Sequence, residues 1–137
     1  MNKFKFLEHT ADIKFQAFGK NLEEVFENST IAMFKVMSDK KIKPLIKKKI
    51  KVNGKDLENL LYNFLEELIF LLDSKNFFLA RINKIKINEK KLTAEAEISG
   101  DNVEKYETKL DVKAITYNEI FVKKIGKNWV AQVVLDV

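Results

Sequence analysis

The sequence predicts one α+β domain spanning residues 1–137, a mainly antiparallel sheet with two α-helices packed on it. Three observations point there. Two segments in the first half repeat apolar residues at helical spacing, short alternating runs flank them, and from Arg81 onward only alternation and turn signals remain. The length of 137 residues suits one domain, and four glycines with one proline leave no stretch that reads as a linker.

Lys3 to Phe6 alternates as a short strand, and a polar corner, Glu8-His9-Thr10-Ala11-Asp12, interrupts it. Ile13, Phe15 and Ala17 then mark a half-buried strand that stops at Gly19. Asn21 is placed to cap a helix whose first turn carries Glu23 and Glu24, where the helix dipole favours acids. Its apolar side runs through Leu22, Val25, Phe26, Ala32, Met33 and Val36 to about Met37. After Pro44, Leu45 to Val52 reads as a lysine-laced strand ending at Asn53-Gly54. Asp56 caps a second helix with a broad face from Leu57 to Leu72, ending near Asp73-Ser74. Phe64/Phe70 and Phe77/Phe78 are expected in the core. Strands follow at Arg81–Ile87 and Leu92–Ile98 around the turn Asn88-Glu89-Lys90-Lys91, then at Lys109–Ile115. The final pair, Tyr117–Ile125 and Trp129–Val137, closes across Gly126-Lys127-Asn128.

Composition narrows the function. With 46% hydrophobic and 33% charged residues the chain folds rather than staying disordered. It has no cysteine, which excludes disulfides, thiol catalysis and Cys-based metal centres. The opening residues lack the apolar core of a secretory signal, and no apolar run approaches the ~18 residues of a membrane span, so a cytoplasmic protein without membrane contact is expected. The net charge is +5, and Arg81 is the only arginine. Lysine is a point charge, whereas bidentate reading of base edges falls to arginine. The excess fits general attraction to polyanions, or merely genome composition or the Lys/Glu enrichment of a hot habitat.

No phosphate-binding glycine loop is present, since the glycines stand at 19, 54, 100 and 126. A single histidine, His9, cannot build a multi-histidine metal centre, and no serine lies in a nucleophile-elbow context. Two carboxylates remain. Asp12 sits where the polar corner enters an apolar strand, and Asp136 closes the run Val133-Val134-Leu135 beside the carboxylate of Val137. Were the last strand to pair near the corner, these oxygens would suit a hard cation such as Ca²⁺ or Mg²⁺. The alternatives stay open: Asp12 as a turn cap, Asp136 as a solvated acid, His9 as a hydrogen-bonded structural residue. The stretch Lys40, Lys41, Lys43, Lys47, Lys48, Lys49 and Lys51 reads as a solvated edge strand or as a phosphate-binding surface.

The runs FLEHTADI (Phe6–Ile13) and GKNLEEVFEN (Gly19–Asn28), with Ala32-Met33-Phe34, resemble the opening of the archease family. The helix from Asn59 to Ser74, Lys113-Ala114-Ile115-Thr116-Tyr117 and the ending Val134-Leu135-Asp136-Val137 are similar to later family segments, in the family's order. The resemblance implies a small non-catalytic activator of an RtcB-type RNA ligase. Such a protein promotes guanylylation of the ligase's active-site histidine and multiple turnover in tRNA splicing and RNA repair. It further implies a divalent metal site, calcium first with magnesium or manganese as alternatives, on Asp12, Asp136 and the terminal carboxylate of Val137. His9 and Lys113 match motif positions as supporting residues. Asn118 departs from the family, where many relatives carry histidine, so no histidine role transfers there. A transient contact with the ligase is expected, with tRNA or other RNA meeting the lysine-rich surface. The competing readings are an RNA-binding or chaperone-like adaptor and a metal-dependent phosphoesterase acting alone.

Overall fold

Apolar stripes at helical spacing decide where this chain coils, and alternation decides where it extends. The computed structural model describes residues 2–8 and 11–137. In chain order the elements are β1 (Phe4–Leu7), β2 (Ile13–Gly19), α1 (Leu22–Met37), β3 (Ile46–Asn53), α2 (Leu57–Lys75) and β4 (Phe77–Asn88). β5 (Thr93–Asn102), a short 3-10 turn (Val103–Lys105), β6 (Ala114–Ile125) and β7 (Asn128–Asp136) follow. The architecture is α+β with antiparallel strand pairing throughout and a helix packed on sheet in each half, as the sequence predicts. The strands divide between two sheets, and the chain forms two compact units, one up to Met37 and from Leu110, the other from Ser38 to Lys109.

The first unit holds a four-stranded sheet in the order β1-β2-β7-β6, with α1 against β2 and β7. Opposite residues share a face, so Phe15 with Val133, Ala17 with Ala131 and Ile13 with Leu135 form one layer. Phe15, Phe26, Met33 and Leu135 are fully buried, and each contributes about 2 kcal/mol of apolar transfer. Asn21 caps α1 by accepting from the Glu24 N–H at 2.8 Å, while the Glu24 carboxylate accepts from the Lys20 N–H at 3.2 Å. Ser29 and Thr30, although buried, donate to the carbonyls of Val25 and Phe26, each at 2.8 Å.

Residues 109–113 form no strand, which corrects the strand expected at Lys109–Ile115. The ladder instead begins at Ala114 and continues through Ile125 as one element. A bulge separates its halves: Thr116 lies opposite Val134, yet Phe121 is already opposite Gln132. Five steps along β6 therefore match two along β7, and Glu119 takes a left-handed φ of 59° to absorb the surplus. Gly126, at φ 63°, turns the hairpin into β7.

The second unit is a three-stranded sheet in the order β3-β5-β4, with α2 lying on it. Asp56 caps α2 through the Asn59 N–H at 2.8 Å, and Asn76, at φ 55°, ends it by donating to the carbonyls of Leu71 and Leu72. Leu60, Leu61, Phe64, Leu65 and Leu68 are buried along the face the sequence marks out. Phe77 and Phe78 are core as expected, although they already belong to β4. Phe70 is not core: it is 56% exposed, because it falls off the Leu57–Leu72 stripe onto the opposite side of the helix. Gly100 is fixed by close approach, since a Cβ there would collide with the Phe78 carbonyl oxygen.

Candidate functional site

In the first unit, strand register brings the corner and the tail to one end of the sheet. β2 and β7 are antiparallel neighbours with Ile13 opposite Leu135, so Asp12 precedes the first paired residue of one strand and Asp136 follows the last of the other. On the far side of β7, Ala114 lies opposite Asp136, and the Lys113 N–H donates to the Asp136 carbonyl at 2.8 Å. The Asp136 backbone is thus held from the Lys113 side, with Asp12 on the other and Val137 one residue beyond. Asp12 and Val137 are half-buried, while Asp136 and Lys113 are exposed. Asp12 also has an interaction within the protein, in keeping with a corner residue. His9 lies outside the described residues.

Among the described residues, no three His, Cys, Asp or Glu side chains converge as a metal cluster. The side-chain donors available at this end are the carboxylates of Asp12 and Asp136, with Val137 one residue beyond. All are hard oxygens of the kind that Ca²⁺, Mg²⁺ and Mn²⁺ accept, so the donor chemistry fits a divalent cation.

The sheet behind this end is braced. Gln16 Nε2 donates to Gln132 Oε1 at 2.9 Å, and Gln132 Nε2 donates to the Glu119 carbonyl at 2.7 Å. Lys14 Nζ stands 3.5 Å from Glu119 Oε1. These contacts tie β2, β7 and the β6 bulge together on the face that also carries Asp136 by alternation. A non-glycine residue in the left-handed region costs on the order of 1 kcal/mol, and two of these contacts hold Glu119 there. Asn118 is exposed in the same bulge.

With that geometry in view, comparison with known proteins is decisive. The archease protein family matches residues 4–137 of this chain. The chain is 40% identical to the protein archease of Sulfurisphaera tokodaii over 140 residues, covering 100% of each. It is 41% identical to that of Methanosarcina barkeri over 143 residues, covering 98% of this chain and 96% of the relative. The chain belongs to the archease family. Among solved structures, Methanobacterium thermoautotrophicum protein 1598 superposes with a TM-score of 0.84 at 34% identity, covering 100% of both chains. An archease of Thermotoga maritima, described as a possible chaperone, shares the fold at a TM-score of 0.67 and 20% identity, covering 97% of this chain and 96% of the other.

The second unit of this archease carries a polar cluster that sequence reasoning missed. Asp101 is buried in β5, where Tyr106 Oη donates to its Oδ2 at 2.6 Å, Lys105 Nζ approaches Oδ1 at 3.0 Å, and the Asn102 N–H donates to Oδ1 at 2.8 Å. The Tyr106 bond, helped by Lys105 and the Asn102 N–H, outweighs burial and lowers the Asp101 pKa to about 2. The same bond raises the Tyr106 hydroxyl above its ordinary value, against the opposing bond from the Lys43 N–H at 3.0 Å. The only trace in the sequence is an Asp followed four and five residues later by Lys and Tyr. The lysine-rich stretch does include an edge strand, β3, with Lys49 3.8 Å from Glu97 and Lys51 3.3 Å from Glu95 on its neighbour.

Proposed function

We propose that this archease is a non-catalytic activator of an RtcB-type RNA ligase, working in tRNA splicing and RNA repair through the Asp12–Asp136 end of its first sheet. The observation that carries the reading is the β2–β7 register, which sets the two acids at matching ends of neighbouring strands. Family membership over nearly the whole chain supports the partner class. In this reading Asp12, Asp136 and the Val137 carboxylate hold a divalent cation, Ca²⁺ by preference and Mg²⁺ or Mn²⁺ otherwise. When bound, that ion would screen phosphate charge while a nucleotide is transferred to the ligase.

The chain's own residues do the positioning. Lys113, through its backbone N–H, fixes the strand end that carries Asp136, and the Gln16–Gln132–Glu119 chain stiffens the sheet behind it. A rigid base matters because a misplaced acid loses its geometry toward the partner's phosphates. Contact between oppositely charged surfaces is rapid, transient and weakened by salt.

The test combines the purified protein with its own organism's ligase, GTP and a divalent metal, and follows nucleotide transfer to the ligase. Asp12→Ala and Asp136→Ala should each cut stimulation at least tenfold while leaving the Tm unchanged. Normal stimulation by either variant would refute this site.

A further inference from the structure

The second unit exposes a cationic sheet face that the acidic end does not use. On β3, Lys47, Lys49 and Lys51 occupy alternate, exposed positions. Opposite them on β5 stand Ser99, Glu97 and Glu95, and beyond these on β4 stand Arg81, Lys84 and Lys86. Six cations thus flank two carboxylates, and six minus two leaves a net charge of +4 on one sheet face. Lys49 and Lys51 face the two glutamates across exposed bridges, which count for little in water. Lys47, Arg81, Lys84 and Lys86 have no carboxylate partner among the described residues.

Arg81 is held in place. Its Nε donates to Asn83 Oδ1 at 2.9 Å, and Asn83 Nδ2 donates to Ser99 Oγ at 2.6 Å. That leaves both terminal nitrogens of the guanidinium fork available to an outside anion. Between the two rows run grooves of about 620 and 480 Å³. Within a row, alternate residues lie ~6.8 Å apart, and the rows are separated by two strand spacings, ~10 Å. A polymer with regularly repeated anions lying along the groove meets cations on both sides. No aromatic residue lines either groove, so neither base stacking nor base reading is supplied.

We propose that this face binds the phosphodiester backbone of single-stranded RNA without sequence preference. Glu95 and Glu97 on the groove floor favour RNA over other polyanions. Carboxylates there repel phosphates and acidic side chains alike, but they also accept hydrogen bonds from ribose 2′-hydroxyls, which neither DNA nor an acidic peptide carries. The inference does not depend on the ligase reading, because it concerns residues of the other unit and needs no metal.

Fluorescence anisotropy with a labelled 20-mer oligouridylate, over a range of salt concentrations, tests it directly. The protein should bind, with log affinity falling against log salt at a slope of about −3, since each phosphate neutralised on a single strand contributes about −0.7. Lys47→Glu/Arg81→Glu/Lys84→Glu should weaken binding at least tenfold and flatten that slope. Lys123→Glu/Lys124→Glu/Lys127→Glu, an equal charge change in the first unit, should stay within twofold. If circular dichroism shows the first variant unfolded, Lys47→Ala/Arg81→Ala is read in its place. Weaker binding of a 20-mer oligothymidylate supports the assignment, and equal binding overturns the choice of RNA over DNA. A polyglutamate peptide of matching charge that binds as tightly, equal losses in both triple variants, or no binding at all would overturn the proposal.

Discussion

Asp101 shows how much one side chain can organise without announcing itself in sequence. Its carboxylate gathers a tyrosine hydroxyl, a lysine and a backbone N–H, and that pairing lowers its pKa from 3.8 to about 2. A depressed carboxylate stabilises the fold above its unfolded value, and this stabilisation drains away as pH falls from about 4 toward 2. Tyr106 works in the opposite range. Its raised pKa favours the folded state below its ordinary value of 10.0, and the benefit is lost as pH climbs past the folded value. Tyr106→Phe should therefore lower the Tm at pH 7, and the gap to wild type should shrink as the pH approaches 2. Thermal melts between pH 2 and 7 check this, and an unchanging gap would contradict it. Phe70 teaches the reverse lesson, since its place on an amphipathic helix suggested core while its angular position on α2 put it in water.

At the scale of elements, both helices were readable because their stripes and caps act locally. Asp56 binds the Asn59 N–H within its own turn, so the signal lies in consecutive residues. Asp56→Ala should cost about 1 kcal/mol, lowering the Tm by about 4 °C in a chain of this size, which a calorimetric scan would measure. The bulge in β6 was not readable. Lys109–Ile115 and Tyr117–Ile125 look like separate strands because the alternation slips by surplus residues, and only the partner strand β7 reveals that the ladder continues. The cationic face was half legible: the lysines of β3 form one run, whereas Arg81, Lys84 and Lys86 join them only through the central strand.

At the scale of the molecule, Asp12 and Asp136 could be named from sequence as carboxylates in unusual positions, but their proximity is a product of topology. It requires β7 to enter the sheet between β2 and β6, a pairing between residues far apart along the chain. If the Val137 carboxylate serves with them, adding two glycines after Val137 should reduce stimulation of the ligase several-fold and leave the Tm within a degree or two. An extended protein with full stimulation would remove Val137 from the site.

The sequence of one unit interrupts that of the other, and this dictates an order of events during synthesis. Ser38–Lys109 is continuous, so it can fold as soon as it leaves the ribosome. The β1–β2 hairpin and α1 emerge earlier, yet they lack the strand that sits at the heart of their sheet until Asn128–Asp136 has been translated. In that interval Phe15 and Phe26, buried in the finished fold, have no completed core to enter, and exposed apolar surface of that kind favours aggregation.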